Sequence, residues 1–299
     1  MGHLPSAPFG HVLTAMVTPF RDDHSLDLEG AQVLARWLVE HGSEGLVVNG
    51  TTGESPALSN EETLDLFRAV REAVDVPIVA GSGSNNTMHA IRQSQAAAEI
   101  GCDALLVVTP YYNRPSQAGL ERHFRMVCES VDTPVVLYDI PARTGRKIDT
   151  DLLIKLAHEV PNIVALKDAA GSPAETSRVI AEAPSDFAVY SGDDSLTLPL
   201  LSIGAVGVIG VATHWAGVEV RAMIEAIDEG DVALARRINQ RLLPSYAFES
   251  TLAAPNPVPT KAMMRVLGLP SGHCRPPLGP CPAGLEAEAK RLHATLHGS

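Results

Sequence analysis

The sequence predicts an α/β protein: a barrel of eight parallel strands and eight helices, (β/α)8, with a C-terminal helical extension. Three observations favour this fold. Eight short apolar runs of strand length lie along the chain, amphipathic helical patterns separate most of them, and the strand pattern stops after Gly230. Strands that alternate with helices are typical of a parallel sheet, and eight such units match a closed TIM barrel better than an open sheet.

The predicted strands are rich in Val, Ile and Leu, as expected of strands that are buried on both faces. In chain order they are VLTAMVT from Val12, GLVVNG from Gly45, PIVAG from Pro77, ALLVVTP from Ala104, PVVLYDI from Pro134, IVALKD from Ile163, FAVYSG from Phe187 and AVGVIG from Ala205. A doubly wound open sheet is the structural alternative. It has less support, because no G-x-G-x-x-G follows the first strand and GSGSNN at Gly81 is a weak imitation. A dinucleotide cofactor therefore has little support.

Several helix boundaries carry local signals. Gly42 follows a helical pattern and predicts a left-handed C-terminal end. Ser59 followed by Glu62 predicts a capping box. Ser172 with Pro173 and Glu175 predicts a second capping box, with proline at the first helical position.

The chain after Gly230 changes from alternating strands and helices to helices alone. The helical segments are DVALARRINQRLLPSYAFESTL, PTKAMMRVLG and AGLEAEAKRLHATL, separated by the proline-rich AAPNPVP and RPPLGPCP. We predict a barrel catalytic domain at residues 1–230 and a helical extension at residues 231–299. The apolar faces of this extension need a partner, either the barrel or another subunit.

Charge and composition exclude several classes of protein. The 299 residues carry a formal net charge of -12 with no basic block, which argues against sequence-independent binding to nucleic acid. No apolar run approaches the roughly 20 residues of a membrane span, and the opening residues lack the pattern of a secretory signal. The expected compartment is the cytoplasm. The four cysteines form no C-x-x-C and no H-E-x-x-H is present, so we expect reduced thiols and no dedicated metal site.

Lys167 directly follows the apolar run Ile163 to Leu166. An unpaired ammonium is expensive to desolvate, so a buried Lys167 must be either paired or able to lose its proton. Burial could lower its pKa from about 10.4 towards neutrality and give an amine able to attack a carbonyl group. A solvated lysine at a strand end is the alternative, since exposed lysine is the commonest state.

Other polar residues end the neighbouring strands, and in a barrel these ends face one common mouth. They are Gly50, Thr51, Thr52, Gly53 and Glu54 after strand 2, Tyr111, Tyr112 and Asn113 after strand 4, Tyr138 and Arg143 at strand 5, and Gly192 and Asp193 after strand 7. A lysine, phenols, threonines and an arginine are therefore expected to converge on one cavity.

Each of these residues also has a structural interpretation. The Gly-Thr-Thr-Gly turn offers hydroxyl and N–H groups that suit a small carboxylate, but Thr51 and Thr52 could be turn residues only. Tyr138 could be a core tyrosine at the barrel rim. Arg143 could lie on the surface, although its rigid fork suits a second carboxylate.

Asp193 and Asp194 resemble a pair of acid/base carboxylates. Adjacent residues in a strand point to opposite faces, so we expect a cap for the following helix instead. His89 and His214 are lone histidines, and we assign them no role beyond packing or solvation.

Taken together, six motifs resemble the signature series of the 4-hydroxy-tetrahydrodipicolinate synthase family, also called dihydrodipicolinate synthase, of the class I aldolase and N-acetylneuraminate lyase superfamily. They are GTTGES at Gly50, TPYYNRPS at Thr109, LYDIPARTG at Leu137, ALKDAAG at Ala165, SGDD at Ser191 and NPVPTK at Asn256. The resemblance runs from Val12 to the final helices in the right order and spacing. Jointly the motifs are highly specific, whereas any one alone is weak.

The resemblance implies a lyase that condenses pyruvate with L-aspartate 4-semialdehyde, on the path to diaminopimelate and lysine. Lys167 matches the family's Schiff-base lysine, and Tyr138 matches its general acid/base. Thr52 and Tyr112 match the partners of that tyrosine in a proton relay. In the family the second tyrosine crosses in from a neighbouring subunit, which implies a homotetramer built as a dimer of dimers.

The resemblance also implies the substrate contacts. Thr51 and Thr52 match the site for the pyruvate carboxylate, and Arg143 matches the site for the semialdehyde carboxylate. Ile209 matches the strand 8 residue whose backbone carbonyl borders the site. Gly192 and Asp193 complete the predicted substrate-binding set. No metal or organic cofactor is implied, because the reactive group is a covalent imine between Lys167 and pyruvate.

One departure from the family concerns regulation. Lysine-inhibited members carry histidines and a glutamate where this chain has Asn60, Thr63 and His89. His89 in place of that glutamate removes the anion expected to pair with the amine of the effector. We therefore expect weak inhibition by lysine, or none.

Two other functions compete with this interpretation. A sister aldolase, such as N-acetylneuraminate lyase or a 2-keto-3-deoxy sugar acid aldolase, would share the lysine and the tyrosine. Lyases of the sialic acid type typically show Ser-Thr in place of Thr51-Thr52 and lack the arginine after the tyrosine motif, so Arg143 discriminates. A catalytically silent regulatory barrel is less favoured, because every expected catalytic position is kept.

Overall fold

The computed structural model describes residues 4–298, and within them eight parallel strands form a closed barrel. The strands follow one another around the barrel in chain order, and the first pairs with the eighth. Their bounds are β1 (Val12–Ala15), β2 (Gly45–Val48), β3 (Ile78–Gly81), β4 (Ala104–Val108), β5 (Val135–Asp139), β6 (Ile163–Asp168), β7 (Ala188–Ser191) and β8 (Gly207–Gly210). Each falls within an apolar run of the sequence, and the predicted (β/α)8 barrel is confirmed.

Helices lie between the strands and after the last one. Their bounds are α1 (Leu28–Glu40), α2 (Asn60–Ala73), α3 (Thr87–Ile100), α4 (Gln117–Cys128), α5 (Pro141–Thr144), α6 (Thr150–Glu159), α7 (Pro173–Glu182), α8 (Thr197–Leu201), α9 (Thr213–Asp228), α10 (Val232–Phe248), α11 (Val258–Val266) and α12 (Leu285–His297).

The predicted helix ends are largely confirmed. Ser59 and Glu62 form the reciprocal capping box at the start of α2. Gly42 has a φ of +110° just past the end of α1. Helix α7 begins at Pro173 as predicted, but the Ser172 side chain makes no capping hydrogen bond, so the expected box is absent there.

Alternating side chains of each strand divide between two cores. Ala165 belongs to a cluster inside the barrel, whereas Leu166 belongs to the larger cluster between the strands and the helices. Because alternate residues of a strand share a face, Lys167 projects to the same inner side as Ala165. Strand alternation thus positions the amine inside the barrel.

The three C-terminal helices pack on the barrel and on one another. Helix α10 packs on α9, and α11 packs on α12 and on α9. The predicted domain boundary between residues 230 and 231 stays a prediction. Residues 1–3 of the first predicted domain and residue 299 of the second lie outside the described part of the chain. The last turn of α10 and the segment after it reach the carboxyl end of the barrel, where they line the cavity described below.

Two further properties concern the described residues as a whole. No helix in residues 4–298 is long and apolar enough to cross a membrane. Cys102, Cys128, Cys274 and Cys281 are all free thiols, as the sequence predicted.

Candidate active site

A cavity of about 320 Å³ opens at the carboxyl ends of the strands. Strand ends and the segments that follow them supply most of its wall, and the end of α10 with the segment after it supplies the rest. The lining residues are Thr51, Thr52, Tyr138, Ile140, Ala142, Arg143, Lys167, Ala169, Gly192, Asp193, Asp194, Ser195, Val211, Tyr246, Glu249, Ser250 and Asn256. The structure therefore brings together seven of the nine predicted site residues.

Lys167 and Tyr138 are direct neighbours across two strands. Tyr138 of β5 lies in register with Lys167 of β6, and each residue is 5% exposed. The Lys167 Nζ lies 4.3 Å from the centre of the Tyr138 ring. The amine therefore lies against the phenol ring with little exposure to solvent.

Burial lowers the pKa of Lys167 to about 8, the Asp194 carboxylate opposes this shift, and the Arg143 guanidinium adds to it. The ammonium form loses hydration on burial, which favours the neutral amine. A substantial fraction of Lys167 is thus neutral near physiological pH, as a nucleophilic amine requires.

Gly192 lies next to the aliphatic part of the Lys167 side chain, where there is no space for another side chain. A Cβ at this position would lie 2.9 Å from Lys167 Cγ and 3.1 Å from Ala169 Cβ. A side chain here would push the lysine out of its extended position. Gly192 thus has a steric role toward Lys167, in addition to lining the cavity as predicted.

Burial raises the pKa of the Tyr138 phenol to about 12, whereas the Arg143 guanidinium and a hydrogen bond from Thr51 act in the opposite direction. Tyr138 therefore keeps its proton at neutral pH and can donate it. The contact with Thr51 links the phenol to the turn after β2.

Three contacts stabilise the Gly-Thr-Thr-Gly turn and Glu54 after it. Glu54 adopts a left-handed conformation with φ of +57°, and its N–H donates to the Thr51 carbonyl at 3.0 Å. Asn256 Nδ2 donates to Thr52 Oγ1 at 2.9 Å. Glu54 Oε1 lies 2.6 Å from Lys261 Nζ of α11. The C-terminal segments thus hold the Thr52 hydroxyl and the end of the turn in place.

Asp193 and Asp194 both line the cavity, so the prediction that they point to opposite faces is wrong. Strand β7 ends at Ser191, and the alternation of a strand does not extend into the turn that follows. The predicted cap is confirmed for Asp193, whose Oδ1 accepts from the Ser195 N–H at 2.9 Å. Asp194 is instead buried, at 3% exposure.

Two predicted site residues lie outside the cavity wall. Tyr112 is 90% exposed, with a φ of +71° in the loop after β4. The Ile209 side chain is buried inside the barrel, and Val211 is the lining residue at the end of β8. A single chain therefore does not bring Tyr112 to its own cavity.

His214 is buried and packs in the core, in agreement with the prediction for it. Burial lowers the pKa of His214 to about 4. Its Nε2 accepts from the Val17 N–H at 3.1 Å, and its Nδ1 pairs with the Val211 carbonyl at 2.8 Å. It is a satisfied core histidine outside the cavity wall.

Several lining residues were not predicted from the sequence. Asn256 belongs to the NPVPTK motif, which could have marked it. Tyr246, Glu249 and Ser250 lie at the end of an amphipathic helix, where nothing in the sequence separates them from ordinary surface residues. Asp194 was set aside by the strand rule.

The arrangement suits carbonyl chemistry. A buried amine can attack a keto group, a protonated phenol beside it can supply a proton, and the turn after β2 with Arg143 can hold carboxylates. These groups occupy one cavity that is large enough for small-molecule substrates.

Comparison with known proteins agrees with this chemistry. The model of the dihydrodipicolinate synthetase family matches residues 8–297. Two curated relatives share the name 4-hydroxy-tetrahydrodipicolinate synthase. That of Moorella thermoacetica is 48% identical over 272 residues, covering 90% of this chain and 92% of the relative. That of Acidothermus cellulolyticus is 51% identical over 277 residues, covering 92% and 88%.

A solved structure is also closely similar. The DHDPS from Cyanidioschyzon merolae, solved with lysine bound, superimposes with a TM-score of 0.94. It is 42% identical in sequence, and the match covers 97% of this chain and 98% of the other. The similarity therefore extends over nearly the whole length of both chains.

Proposed function

The chain belongs to the dihydrodipicolinate synthetase family, and we propose that it condenses pyruvate with L-aspartate 4-semialdehyde to give 4-hydroxy-tetrahydrodipicolinate, a step towards diaminopimelate and lysine. The observation that carries the proposal is a buried lysine amine, Lys167, whose pKa is lowered to about 8 in a cavity lined by Tyr138, Thr51 and Arg143. The chemistry of these groups matches the reaction of the family.

The first step is formation of an imine. The neutral Lys167 amine attacks C2 of pyruvate, a nitrogen–carbon bond forms, and the keto oxygen leaves as water. One proton is consumed overall, so the product is a cationic iminium. This cation is an electron sink: a methyl proton of the bound pyruvate can leave, and a nucleophilic enamine results.

Proton transfer falls to Tyr138 and its partners. The phenol lies against the amine and keeps its proton at neutral pH, so it can donate to the departing oxygen. Thr52 and Tyr112 connect it to solvent in a relay, with Tyr112 supplied by a neighbouring subunit. The 90% exposure of Tyr112 outside its own cavity supports this arrangement, and with it a homotetramer built as a dimer of dimers.

Residues on two sides of the cavity bind the carboxylates of the two substrates. Thr51 and Thr52 hold the pyruvate carboxylate with hydroxyl and N–H groups, and Asn256 fixes the Thr52 hydroxyl. Arg143 binds the semialdehyde carboxylate, so that the aldehyde carbon meets the enamine. Gly192 and Asp193 line the same space, and we propose that the Ile209 carbonyl borders it. The reaction needs no metal or organic cofactor, and we place it in the cytoplasm.

Borohydride trapping tests the proposal. Reduction in the presence of pyruvate, followed by peptide mass analysis, should find the adduct on Lys167 and nowhere else. Lys167→Ala should abolish trapping, whereas Lys155→Ala, which removes an exposed lysine of α6, should not. An unmodified Lys167 in the reduced protein rejects the Schiff-base mechanism.

Substrate choice needs a separate measurement. A coupled assay should show turnover with pyruvate and aspartate 4-semialdehyde, and no cleavage of N-acetylneuraminate or of 2-keto-3-deoxy sugar acids. Efficient cleavage of a sugar acid by a protein that traps pyruvate would reassign it to a sister aldolase.

A further inference from the structure

A buried carboxyl group forms the cavity wall on the side of β7 and β8. Asp194 Oδ2 accepts from the Val211 N–H at 2.8 Å, and Oδ1 accepts from the Ala212 N–H at 3.2 Å. Both amides directly precede α9, whose positive end favours an anion. A Cβ at Gly210 would lie 2.5 Å from Asp194 Oδ1, so the glycine leaves room for this carboxyl group. Burial raises the pKa of Asp194 to about 6, and the Val211 and Ala212 N–H groups oppose this shift, so the carboxyl group is ionised at neutral pH.

A second carboxyl group faces the first. The Glu249 side chain lies in hydrogen-bond contact with Asp194, and its pKa is raised well above the usual range by burial and by the charge of Asp194. Within residues 4–298, Glu249 Oε1 is buried and receives no hydrogen bond. An ionised carboxyl group can only accept, so two facing carboxylates would leave buried acceptors unpaired.

If one of the two carboxyl groups is protonated, it can donate a hydrogen bond to the other. Asp194 receives two main-chain N–H groups, and Glu249 at most a share of the Ala212 N–H. The ionised form is therefore better supported at Asp194, and the proton belongs on Glu249. As a neutral acid, Glu249 can donate a hydrogen bond to Asp194.

The charge on Asp194 acts on Lys167 across the cavity. It raises the pKa of the amine, against the effect of burial and of Arg143. The other titratable groups that face Asp194 are Asp193 in its own turn and Tyr246 on α10. Of all these groups, Asp194 is the one whose carboxylate favours a positive charge at Lys167 and is itself buried.

We propose that Asp194 is the fixed counter-charge of the Lys167 iminium, and that Glu249, held as a neutral carboxylic acid, donates the hydrogen bond that keeps Asp194 ionised. The proposal rests on the proposed function, in which Lys167 forms an imine with pyruvate. Free Lys167 is neutral part of the time, whereas the iminium carries a full positive charge. A buried carboxylate that is already in position therefore stabilises the cationic iminium more than it stabilises the partly neutral free amine. Both residues are positioning residues that act through Lys167.

Three variants separate this role from simple packing. Asp194→Asn removes the negative charge. Glu249→Gln keeps a neutral hydrogen-bond donor of nearly the same shape, and Glu249→Leu removes the donor. The matched control is Glu225→Gln, which neutralises an exposed carboxyl group on α9. Each protein is assayed for its rate of borohydride trapping across pH and for the pyruvate concentration that gives half-maximal trapping.

The proposal predicts the direction of change in both the pH dependence of trapping and the half-saturating pyruvate concentration. Without the negative charge the pKa of Lys167 falls, so Asp194→Asn should move the acid limb of trapping to lower pH by about one unit. Its iminium loses stabilisation, so the half-saturating pyruvate concentration should rise about tenfold. Glu249→Leu should change both quantities in the same direction, because Asp194 then takes up a proton more readily. Glu249→Gln should stay within about twofold of wild type.

Specific results overturn the proposal. If Glu249→Gln and Glu249→Leu behave alike, the hydrogen-bond donor has no role. If folded Asp194→Asn keeps both the acid limb and the half-saturating concentration of wild type, Asp194 is not the counter-charge. A wild-type protein that traps no pyruvate rejects the proposed function as well, and that outcome is distinct from the other two. Thermal unfolding identifies a variant that fails to fold, and the Glu249 pair then decides.

Discussion

At the scale of single residues, Lys167 shows how burial and charge act on one amine in opposite directions. Burial lowers its pKa to about 8, while Asp194 favours the ammonium and Arg143 favours the neutral form. The balance leaves an amine that is partly neutral near physiological pH and still able to carry positive charge as an iminium. A nucleophile of this kind needs both properties.

The pH dependence of trapping follows from this pKa. The neutral amine is the attacking form, so the trapping rate at low pyruvate should rise with pH up to about 8 and then level off. Measuring the rate of borohydride-trapped product at constant ionic strength checks this. A rate that is constant from about pH 6 to about pH 9 would contradict the assignment of Lys167 as a partly protonated nucleophile.

At the scale of elements, the turn after β2 depends on a distant helix. Glu54 Oε1 of the turn lies 2.6 Å from Lys261 Nζ of α11, and both side chains are 1% exposed. Lys261 also donates to the His273 carbonyl at 3.1 Å and lies 4.1 Å from the centre of the Phe20 ring. The buried pair joins the threonine turn to the C-terminal extension.

Removing one member of this pair should be costly. Lys261→Met leaves the Glu54 carboxylate buried without its cation, and we expect a loss of about 3–5 kcal/mol in the free energy of unfolding. Urea denaturation measures this change. The double variant Glu54→Gln with Lys261→Met should recover most of the loss, and Lys290→Met, at an exposed position of α12, should change little. An equal loss in the single and the double variant would show that packing, and not charge, sets the cost.

At the scale of the whole molecule, one chain holds an incomplete set of the proposed catalytic groups. Lys167, Tyr138 and Thr52 line the cavity, whereas Tyr112 does not line it and is 90% exposed. An exposed tyrosine in a left-handed loop conformation is well placed to enter a neighbouring subunit. Assembly and activity should therefore depend on each other.

Tyr112→Phe tests this dependence. Loss of the hydroxyl should interrupt the relay and lower kcat by at least about tenfold, while pyruvate trapping on Lys167 stays largely intact. Tyr111→Phe, in the same loop, is the matched control. Steady-state kinetics and borohydride trapping on the same preparations give the two readouts, and normal turnover in Tyr112→Phe would remove it from the relay.

Regulation by lysine is a second prediction at this scale. Asn60 begins α2, and Thr63 uses its hydroxyl to donate to the Ser59 carbonyl at 3.0 Å. His89 offers no anion to an effector amine. We expect lysine to inhibit weakly or not at all, and inhibition at submillimolar lysine in an initial-rate assay would contradict this.

The fold and part of the site could be predicted from local patterns. Buried strands with period-two side chains identify the barrel, and position at a strand end places Lys167, Tyr138 and Thr51 at one mouth. The same alternation rule misplaced Asp193 and Asp194, because β7 ends at Ser191 and the chain then turns. Tyr246 and Glu249 carry no local signal, since they approach the cavity only through the packing of α10 on α9.

The sequence by itself determined the barrel and the position of Lys167 and of the hydroxyls after β2 at strand ends, because strand period is a property of short segments. Only the tertiary structure decided what surrounds that amine. The Asp194 and Glu249 carboxyl groups come from positions 55 residues apart in the chain, so the proton between them and its effect on Lys167 depend on contacts that no local pattern records. The interaction between buried charged groups depends on the distance between them, and that distance is set by tertiary packing.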